Sequence, residues 1–286
     1  MKAVILDGIV LGLGLGLLGV GLTLVYGLAG VLNLAYGEIA VLAAIIVAQL
    51  IAGGVPAGLA AVIGVLAGAT AGILIDLTLM RPVYRERGGH RVLLGLLLTL
   101  GLAFVIEGVL TWRDPLGALS INVAGGPVRI LGVPLAVGSV WASVIAVAVG
   151  AALLVFFTAT TFGRAVRSVI QDELGAQLVG ISPPLVRTVI FGLSGALAGL
   201  VAVTQAMTAP VSVTAGFNLT VLALIVSVVG GLGSVPGAFL AGVLLGIVDS
   251  ASATYIGHYI TSIVLLGAAV LTILVWPSGL LGSHEG

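Results

Sequence analysis

Residues Val92–Trp112 read VLLGLLLTLGLAFVIEGVLTW, an apolar run that contains one ionisable side chain, Glu107. An α-helix needs about 20 mainly apolar residues to cross a lipid bilayer. Similar runs occur at Val140–Thr160, Arg187–Thr208 and, in a shorter form, Thr261–Trp276. These runs predict a chain that crosses a membrane several times as α-helices.

The composition supports that prediction. Hydrophobic residues make up 60% of the chain and charged residues 7%, with a mean hydropathy of +1.35. A soluble domain carries about 25% charged residues, so this chain could not cover a soluble surface. The apolar runs also lack the roughly 10-residue alternating segments of a membrane β-barrel. The predicted fold class is therefore an all-α, polytopic transmembrane helical bundle.

The charged and metal-binding residues exclude several functions. The net charge is zero, which leaves no basic face for a nucleic acid. Cysteine is absent, which excludes thiol catalysis and cysteine metal sites. The three histidines, His90, His258 and His284, are scattered and form no metal-ligand cluster. We expect no cofactor and no bound metal.

Nine membrane spans are predicted, with eight to ten as the expected range. They lie at 8–26, 30–52, 57–80, 92–112, 138–160, 187–208, 218–233, 236–256 and 259–276. Seven arginines fall in or beside the loops after the third and fifth spans: Arg81, Arg85, Arg87, Arg91, Arg164, Arg167 and Arg187. The opposite side receives Lys2, Arg113 and Arg129. The positive-inside rule then predicts an external N-terminus and a cytoplasmic C-terminus.

The 44 glycines are the second organising signal. They recur at every fourth residue in three rows: Gly8, Gly12 and Gly16; Gly64, Gly68 and Gly72; and Gly242 with Gly246. Small residues at this spacing let membrane helices approach closely, which predicts a tight bundle. Two glycine-rich segments, 27–40 and 230–237, are candidates for broken helices. The polar connections are short, so we expect a single domain over residues 1–286.

The stretch Gly27–Ala44 places Asn33, Tyr36 and Glu38 among apolar residues. A charged carboxylate at the bilayer centre costs roughly 2.5 kcal/mol or more, so Glu38 should not face lipid. Gly37 lies just before it, and we expect the helix to break here, with Glu38 in the first turn of the next half-helix. Two roles remain open for the cluster: lining a substrate path, or bracing neighbouring helices.

The polar loop Thr161–Arg187 contains a short amphipathic element. Leu174, Leu178 and Ile181 follow the i, i+4, i+7 spacing of one helical face. Acidic residues begin the element, and the pair Pro183-Pro184 is expected to end it. This apolar face could dock on a partner protein, or it could lie on the lipid surface.

Four stretches together resemble the permeases of branched-chain amino acid ABC importers, with the shorter, H-type subunit as the nearest relative. They are Gly163–Arg167 with Gln171-Asp172, Ala176 and Leu178–Ile181; Tyr26-Gly27 with Asn33–Glu38; Thr99–Gly101 with Glu107-Gly108; and Gly230–Gly237. The resemblance covers essentially the whole chain.

The resemblance implies one half of a translocation pathway in a prokaryotic inner membrane. It implies a second permease subunit, two cytoplasmic ATPases and an extracytoplasmic substrate-binding protein as partners. The loop at about 161–186 would be the coupling loop, with Arg164, Arg167, Asp172, Leu174, Leu178, Gly180 and Ile181 contacting an ATPase. Gly230, Gly231, Gly233, Pro236 and Gly237 would form a structural glycine motif. Asn33, Tyr36 and Glu38 would border the substrate path.

Three alternatives to branched-chain amino acid import can be compared with the sequence. An ion-coupled secondary transporter could use Glu38, Glu107 and Asp249 as proton or sodium sites. Within the same permease family, the solute could be urea or a short amide. An intramembrane enzyme has little support, because the spans offer neither a Ser/His dyad nor closely spaced acids. The chain also lacks the GxxxxGK[ST] motif, so ATP hydrolysis would have to occur in another subunit.

Overall fold

The computed structural model describes residues 1–86, 89–130, 132–276 and 278–281, and most of these residues are helical. Arg87 and His284 lie outside this part of the chain. The helices are α1 (Lys2–Ala29), α2 (Tyr36–Ala52), α3 (Ala57–Ile75), α4 (Arg81–Val83), α5 (Gly89–Arg113), α6 (Val137–Ala159), α7 (Thr161–Gln171), α8 (Glu173–Leu178), α9 (Pro183–Ala206), α10 (Gly216–Gly230), α11 (Val235–Tyr255) and α12 (His258–Val275). A π-helical turn, Asp76–Met80, joins α3 to α4, and a 3-10 turn, Val213–Ala215, precedes α10.

Seven helical segments are long and apolar enough to cross a membrane: α1, α3 with α4, α5, α6, α9, α10 with its preceding turn, and α11. Two shorter apolar helices, Tyr36–Ala52 and Ile260–Val275, complete the set among the described residues. These nine helices correspond to the nine predicted spans, and the polytopic bundle is confirmed. Several boundaries differ from the prediction by a few residues. The two largest differences are at the start of α1, which begins at Lys2, and in the second span, which is helical only from Tyr36.

Four short strands lie between the long helices. Strand β1 (Ala118–Leu119) pairs antiparallel with β4 (Val211–Ser212), which ties the α5–α6 connection to the segment between α9 and α10. Strands β2 (Val128–Ile130) and β3 (Val133–Leu135) form an antiparallel hairpin within the α5–α6 connection.

The first glycine row joins α1 to α11. A Cβ atom on Gly8 would meet the backbone of Ile247, and one on Gly12 would meet the backbone of Val243. From the other helix, Gly246 lies against Gly12 in the same way. The contacts run in opposite directions along the two helices, so α1 and α11 are antiparallel. Only glycine permits this backbone-to-backbone distance.

The second glycine row joins α3 to α9 in the same manner. Gly68 lies against the carbonyl of Gly195, and Gly72 against that of Phe191. A Cβ on Gly199 would meet the backbone of Gly64. The predicted tight packing is confirmed for both rows, with each row facing a complementary helix.

Helix α1 is the centre of the bundle. Every residue from Leu15 to Val25 is buried, and two serines on other helices bond to carbonyl oxygens within this buried part. Ser194 on α9 donates to Gly21 at 2.7 Å, and Ser227 on α10 donates to Gly19 at 2.9 Å. By contrast, α5 and α12 expose large apolar side chains along their length, as expected of helices that face lipid.

The glycine motif after α10 is a connection between helices. Gly231 and Gly233 have φ values of 99° and 92°, in the left-handed region that glycine adopts without strain. Ser234 then caps α11 by accepting a hydrogen bond from the Gly237 amide at 3.2 Å, and Pro236 lies in the first helical turn. The candidate break at 230–237 lies between two separate helices, where the two positive φ values turn the chain.

The chain segment 278–281 covers the end of α10. The Leu280 amide donates to the carbonyl of Val229 at 2.9 Å, and the Leu281 amide donates to that of Gly230 at 3.2 Å. Terminal helix carbonyls otherwise lack a partner. Gly230 also lies so close to Ala238 on α11 that a Cβ atom would overlap its backbone. The connection is therefore compact and held from two sides.

Candidate functional site

The break predicted within 27–40 is present between α1 and α2. Gly30, with φ 63°, ends α1 in a left-handed conformation, and its amide donates to the carbonyl of Tyr26 at 2.8 Å. Helix α2 does not begin until Tyr36. The intervening backbone lies inside an apolar bundle, so its amides and carbonyls require partners from other helices.

Two threonines provide those partners. Thr99 on α5 accepts a hydrogen bond from the Leu34 amide at 3.1 Å and donates to Gly95 within its own helix at 2.8 Å. Thr220 on α10 accepts from the Gly37 amide at 2.9 Å and lies 3.2 Å from the Leu34 carbonyl. The sequence by itself did not predict this role for either threonine. An isolated hydroxyl in an apolar run was the available signal.

Asn33 and Tyr36 are both buried within the bundle. The Asn33 side-chain oxygen accepts from the Ala35 amide at 3.1 Å, which holds the turn that leads into α2. The Tyr36 ring packs against Gly21 of α1, where a Cβ atom would overlap the ring. Its hydroxyl has no hydrogen-bond partner among the described residues. The Asn33 side chain thus bonds locally, to the backbone two residues further along the chain.

Glu38 lies where two helices begin. It is the third residue of α2, is 1% exposed, and its carboxylate packs against Gly216, the first residue of α10. One carboxylate oxygen, Oε2, has no hydrogen-bond partner among the described residues. Helix N-termini carry partial positive charge, and the Glu38 carboxyl group lies beside two of them. A side chain at position 216 would occupy the space of the carboxylate.

The predicted coupling loop forms two helices, α7 and α8. Helix α7 turns Gly163, Val166 and Val169 towards the bundle. Arg164 is exposed, and the guanidinium of Arg167 donates to the carbonyl of Phe157 at the end of α6. Asp172 then caps α8 by accepting from the Leu174 amide at 3.0 Å.

The apolar face of α8 is shorter than predicted. Leu174 and Leu178 are 73% and 89% exposed, whereas Ile181 packs partly buried against the bundle. Helix α8 ends at Leu178, and Gly180, with φ 86°, turns the chain. Ile181 therefore does not share a helical face with the two leucines. The expectation that Pro183-Pro184 ends this element is also wrong, since both prolines lie in the first turn of α9.

A polar network connects α8 to the bundle. Glu173 forms an ion pair with Arg187 of α9 at 2.6 Å, and the Arg187 guanidinium stacks over the Tyr84 ring at 4.4 Å. The Tyr84 hydroxyl donates to Asp76 at 2.7 Å, and Thr188 donates to the same carboxylate at 2.5 Å. Burial, reinforced by the Asp76 carboxylate, raises the pKa of Tyr84 above its usual value, so its hydroxyl remains a donor.

In the described part of the chain, a cavity lies at each end of α1. The first has a volume of about 410 Å³ and lies between the end of α1, the start of α5 and the α7–α8 region. The second has a volume of about 260 Å³ and lies near Asp7, Ser139 and Gln205. Neither is lined by Asn33, Tyr36 or Glu38. No group of three or more metal-ligating side chains occurs among the described residues.

Comparison with known proteins identifies relatives along the whole chain. A family model described as "Branched-chain amino acid transport system / permease component" matches residues 4–274. The high-affinity branched-chain amino acid transport system permease protein BraD of Pseudomonas aeruginosa is 28% identical, with 98% of this chain and 95% of BraD covered. LivH of Escherichia coli, a permease protein of the same description, is 24% identical, with 98% and 94% covered.

Two further matches are weaker, the first because it covers a smaller part of the chain and the second because its sequence identity is lower. The permease protein LivM of Salmonella typhimurium is 34% identical over 124 residues, which cover 42% of this chain and 28% of LivM. Among solved structures, PsaBC from Streptococcus pneumoniae in complex with Fab matches with a TM-score of 0.50 at 15% identity, covering 97% of this chain and 92% of the matched chain. At that identity, the match concerns the fold alone.

Proposed function

This chain belongs to the family of branched-chain amino acid transport system permease components, and we propose from that membership that it forms one half of the membrane pathway of an ABC importer for branched-chain or related amino acids. The observation that carries the proposal is the family match over residues 4–274, which covers seven of the apolar helices completely and nearly all of the first and the last. The relatives are transport components and not enzymes. They do not favour an ion-coupled transporter.

The proposed assembly contains a second permease subunit, two ATPases and an external binding protein. The partial similarity to LivM supports pairing with a related permease. We place the chain in the inner membrane of a prokaryote, with the N-terminus outside and the C-terminus in the cytoplasm. The distribution of arginines between loops supports this orientation.

We assign ATPase contact to the coupling loop at about 161–186 of a single permease domain, residues 1–286. The main support for this assignment is the exposure of Leu174 and Leu178. Both lie on α8, which an ion pair between Glu173 and Arg187 holds against the bundle. Exposed apolar side chains at an ordered site are typical of a protein interface. The remaining proposed contacts are Arg164, Arg167, Asp172, Gly180 and Ile181.

We assign Glu38 to the border of the substrate path, together with Asn33 and Tyr36. The support for Glu38 is its position at a break in a membrane helix, beside the N-termini of α2 and α10. Such half-helix ends flank substrate sites in transporters. The contacts of Asn33 and Tyr36 indicate that these residues set the geometry of the break.

Uptake into proteoliposomes tests the function. The vesicles contain the complete transporter in the right-side-out orientation and are loaded with ATP. We expect uptake of labelled L-leucine that requires ATP and the binding protein and that persists when proton and sodium gradients are collapsed. Uptake abolished by collapsing a gradient while ATP is intact would contradict the proposal and favour an ion-coupled transporter. Uptake of urea in place of leucine would retain the transporter class and change the solute.

A further inference from the structure

The 410 Å³ cavity combines opposite charges with an apolar wall. It lies between the last residues of α1, the start of α5 and the two coupling helices, and its volume falls within the range of about 300–1,000 Å³ of small-molecule sites. Its side-chain lining comprises Leu28, Arg91, Val92, Val169, Ile170 and Glu173.

Arg91 supplies the positive charge. One of its terminal nitrogens, Nη2, donates to the carbonyl of Ala29 at 2.8 Å, which fixes the guanidinium at the end of α1. Its Nε atom is buried and has no hydrogen-bond partner among the described residues. Within the part of the chain that the structure describes, no carboxylate forms an ion pair with Arg91. The guanidinium lies over the Tyr84 ring at 5.4 Å, and the remaining N–H groups of its terminal nitrogens are the donors that a carboxylate in the cavity could accept from.

Glu173 supplies the negative charge from the coupling helix α8. Its Oε2 atom pairs with Arg187 at 2.6 Å, and its side chain is 40% exposed. The second oxygen accepts no hydrogen bond from the described residues. The cavity is therefore lined by a donor group on α5, an acceptor group on α8, and several aliphatic side chains.

We propose that this cavity is a binding site for a free amino acid with an aliphatic side chain. The carboxylate of the ligand would bind Arg91, its ammonium group would bind Glu173, and its side chain would pack on Leu28, Val92 and Ile170. The amino acid class rests on the proposed function. The site lies on the side of the bundle that carries the coupling loop, and thus on the side to which the substrate is released.

Occupancy of this site would act on the coupling loop. Glu173 pairs with Arg187 of α9, so a ligand between Arg91 and Glu173 would connect α5 to α8 and stabilise one position of α8. A ligand shifts a conformational equilibrium by binding one state more tightly than another. Substrate that accumulates in the cytoplasm would thereby change the position of α8, the helix proposed to contact the ATPase.

Binding of labelled L-leucine to the full chain in phosphatidylglycerol nanodiscs tests the proposal. Two analogues separate the charged contacts: leucine methyl ester lacks the carboxylate, and 4-methylpentanoate lacks the ammonium group. We expect unlabelled leucine to compete, and each analogue to compete at least about tenfold more weakly, as for the loss of a charge-assisted hydrogen bond. Absence of leucine binding, or competition by either analogue as strong as that of unlabelled leucine, would overturn the proposal.

Matched variants locate the site. Glu173→Gln and Arg91→Gln should each weaken leucine binding by about tenfold. Glu86→Gln and Arg85→Gln change the same residue types at exposed loop positions and should leave binding unchanged. Glu173 is partly exposed, so its variant decides the question if Arg91→Gln does not fold. Full leucine binding in a folded Glu173→Gln variant would place the ligand elsewhere and overturn the proposal.

A zwitterionic lipid headgroup shares the required chemistry. If phosphatidylethanolamine in the nanodiscs abolishes leucine binding in the wild type, the headgroup is the occupant and the amino acid assignment is wrong. The assembled transporter distinguishes this inference from the proposed function. Leucine uptake without leucine binding at this site would overturn only the inference, whereas an assembled transporter that takes up no amino acid would overturn the function.

Discussion

Single hydroxyl groups hold the break between α1 and α2. Thr99 and Thr220 each bond to backbone groups that a continuous helix would have satisfied internally. A buried amide without a partner costs about 1–3 kcal/mol, and water cannot replace the partner within an apolar bundle. The stability of the break therefore depends on the hydroxyl groups of these two threonines.

Replacing Thr99 by valine tests this dependence. Thr99→Val preserves the shape of the side chain and leaves the Leu34 amide without its acceptor. We expect a loss of about 1–3 kcal/mol in the free energy of unfolding, seen as a lower melting temperature of the purified protein. Thr99→Ser retains the hydroxyl and should remain near the wild type. Equal melting temperatures for valine and wild type would contradict the assigned contact.

Replacing Glu38 by glutamine removes the charge of the side chain and keeps its shape, which tests the proposed role of Glu38 at the substrate path. The charge is worth about 0.3–1 kcal/mol at one exposed helix start, and up to about 2 kcal/mol when partly buried. We expect Glu38→Gln to accumulate in the membrane near the wild-type level while leucine uptake falls more than abundance does. Asn33→Leu, which removes the bond to Ala35, should instead lower abundance. Wild-type uptake in both variants would remove this cluster from the path.

At the scale of the element, α8 is a short helix with a fixed base and an exposed tip. Asp172 caps it and Glu173 ties it to α9, while Leu178 is directed away from the bundle. A six-residue helix is not stable by itself, so these tethers hold it in place. The surface that it offers to a partner is correspondingly small and defined.

An aspartate at the tip of α8 should uncouple the transporter. We expect Leu178→Asp to lose ATPase binding in co-purification and to lose uptake, because a charge would be buried at the interface. Leu116→Asp makes the same substitution at a residue that is 93% exposed in the α5–α6 connection, and should leave ATPase binding unchanged. Wild-type coupling in Leu178→Asp would favour the alternative that α8 lies on lipid.

The whole molecule depends on the two glycine interfaces. Gly68→Ala introduces a Cβ atom that overlaps the carbonyl of Gly195, and overpacking of this kind typically costs 1–3 kcal/mol. Gly101→Ala adds the same atom on α5, where no atom lies within 4 Å. We expect membrane abundance and melting temperature to fall for the first variant only. Equal behaviour of the two variants would contradict the packing of α3 on α9.

The orientation of the whole bundle can be measured with introduced cysteines, since the chain has none. Ser120→Cys and Gln177→Cys place thiols at exposed positions in the α5–α6 connection and in α8. We expect an impermeant thiol reagent to label the first from outside intact cells, and the second only after the membrane is permeabilised. The reverse pattern would invert the proposed topology.

The sequence by itself determined the helical membrane fold, the three glycine rows, the break before Glu38 and the family. Hydropathy, four-residue spacing and short motifs are local properties of the chain, which is why they could be read directly. Local patterns also set the limits of prediction, since Gly180 ends α8 before the periodicity of Leu174, Leu178 and Ile181 is complete.

Only the tertiary structure decided which groups meet. Thr220 bonds Gly37 across 183 residues, and Thr99 bonds Leu34 across 65. Gly216 leaves room for the Glu38 carboxylate, and Arg91 and Glu173 line one cavity from separate helices. Apolar membrane helices can pack in many arrangements with similar burial, so these pairings follow from close glycine contacts and from the need to satisfy buried polar groups.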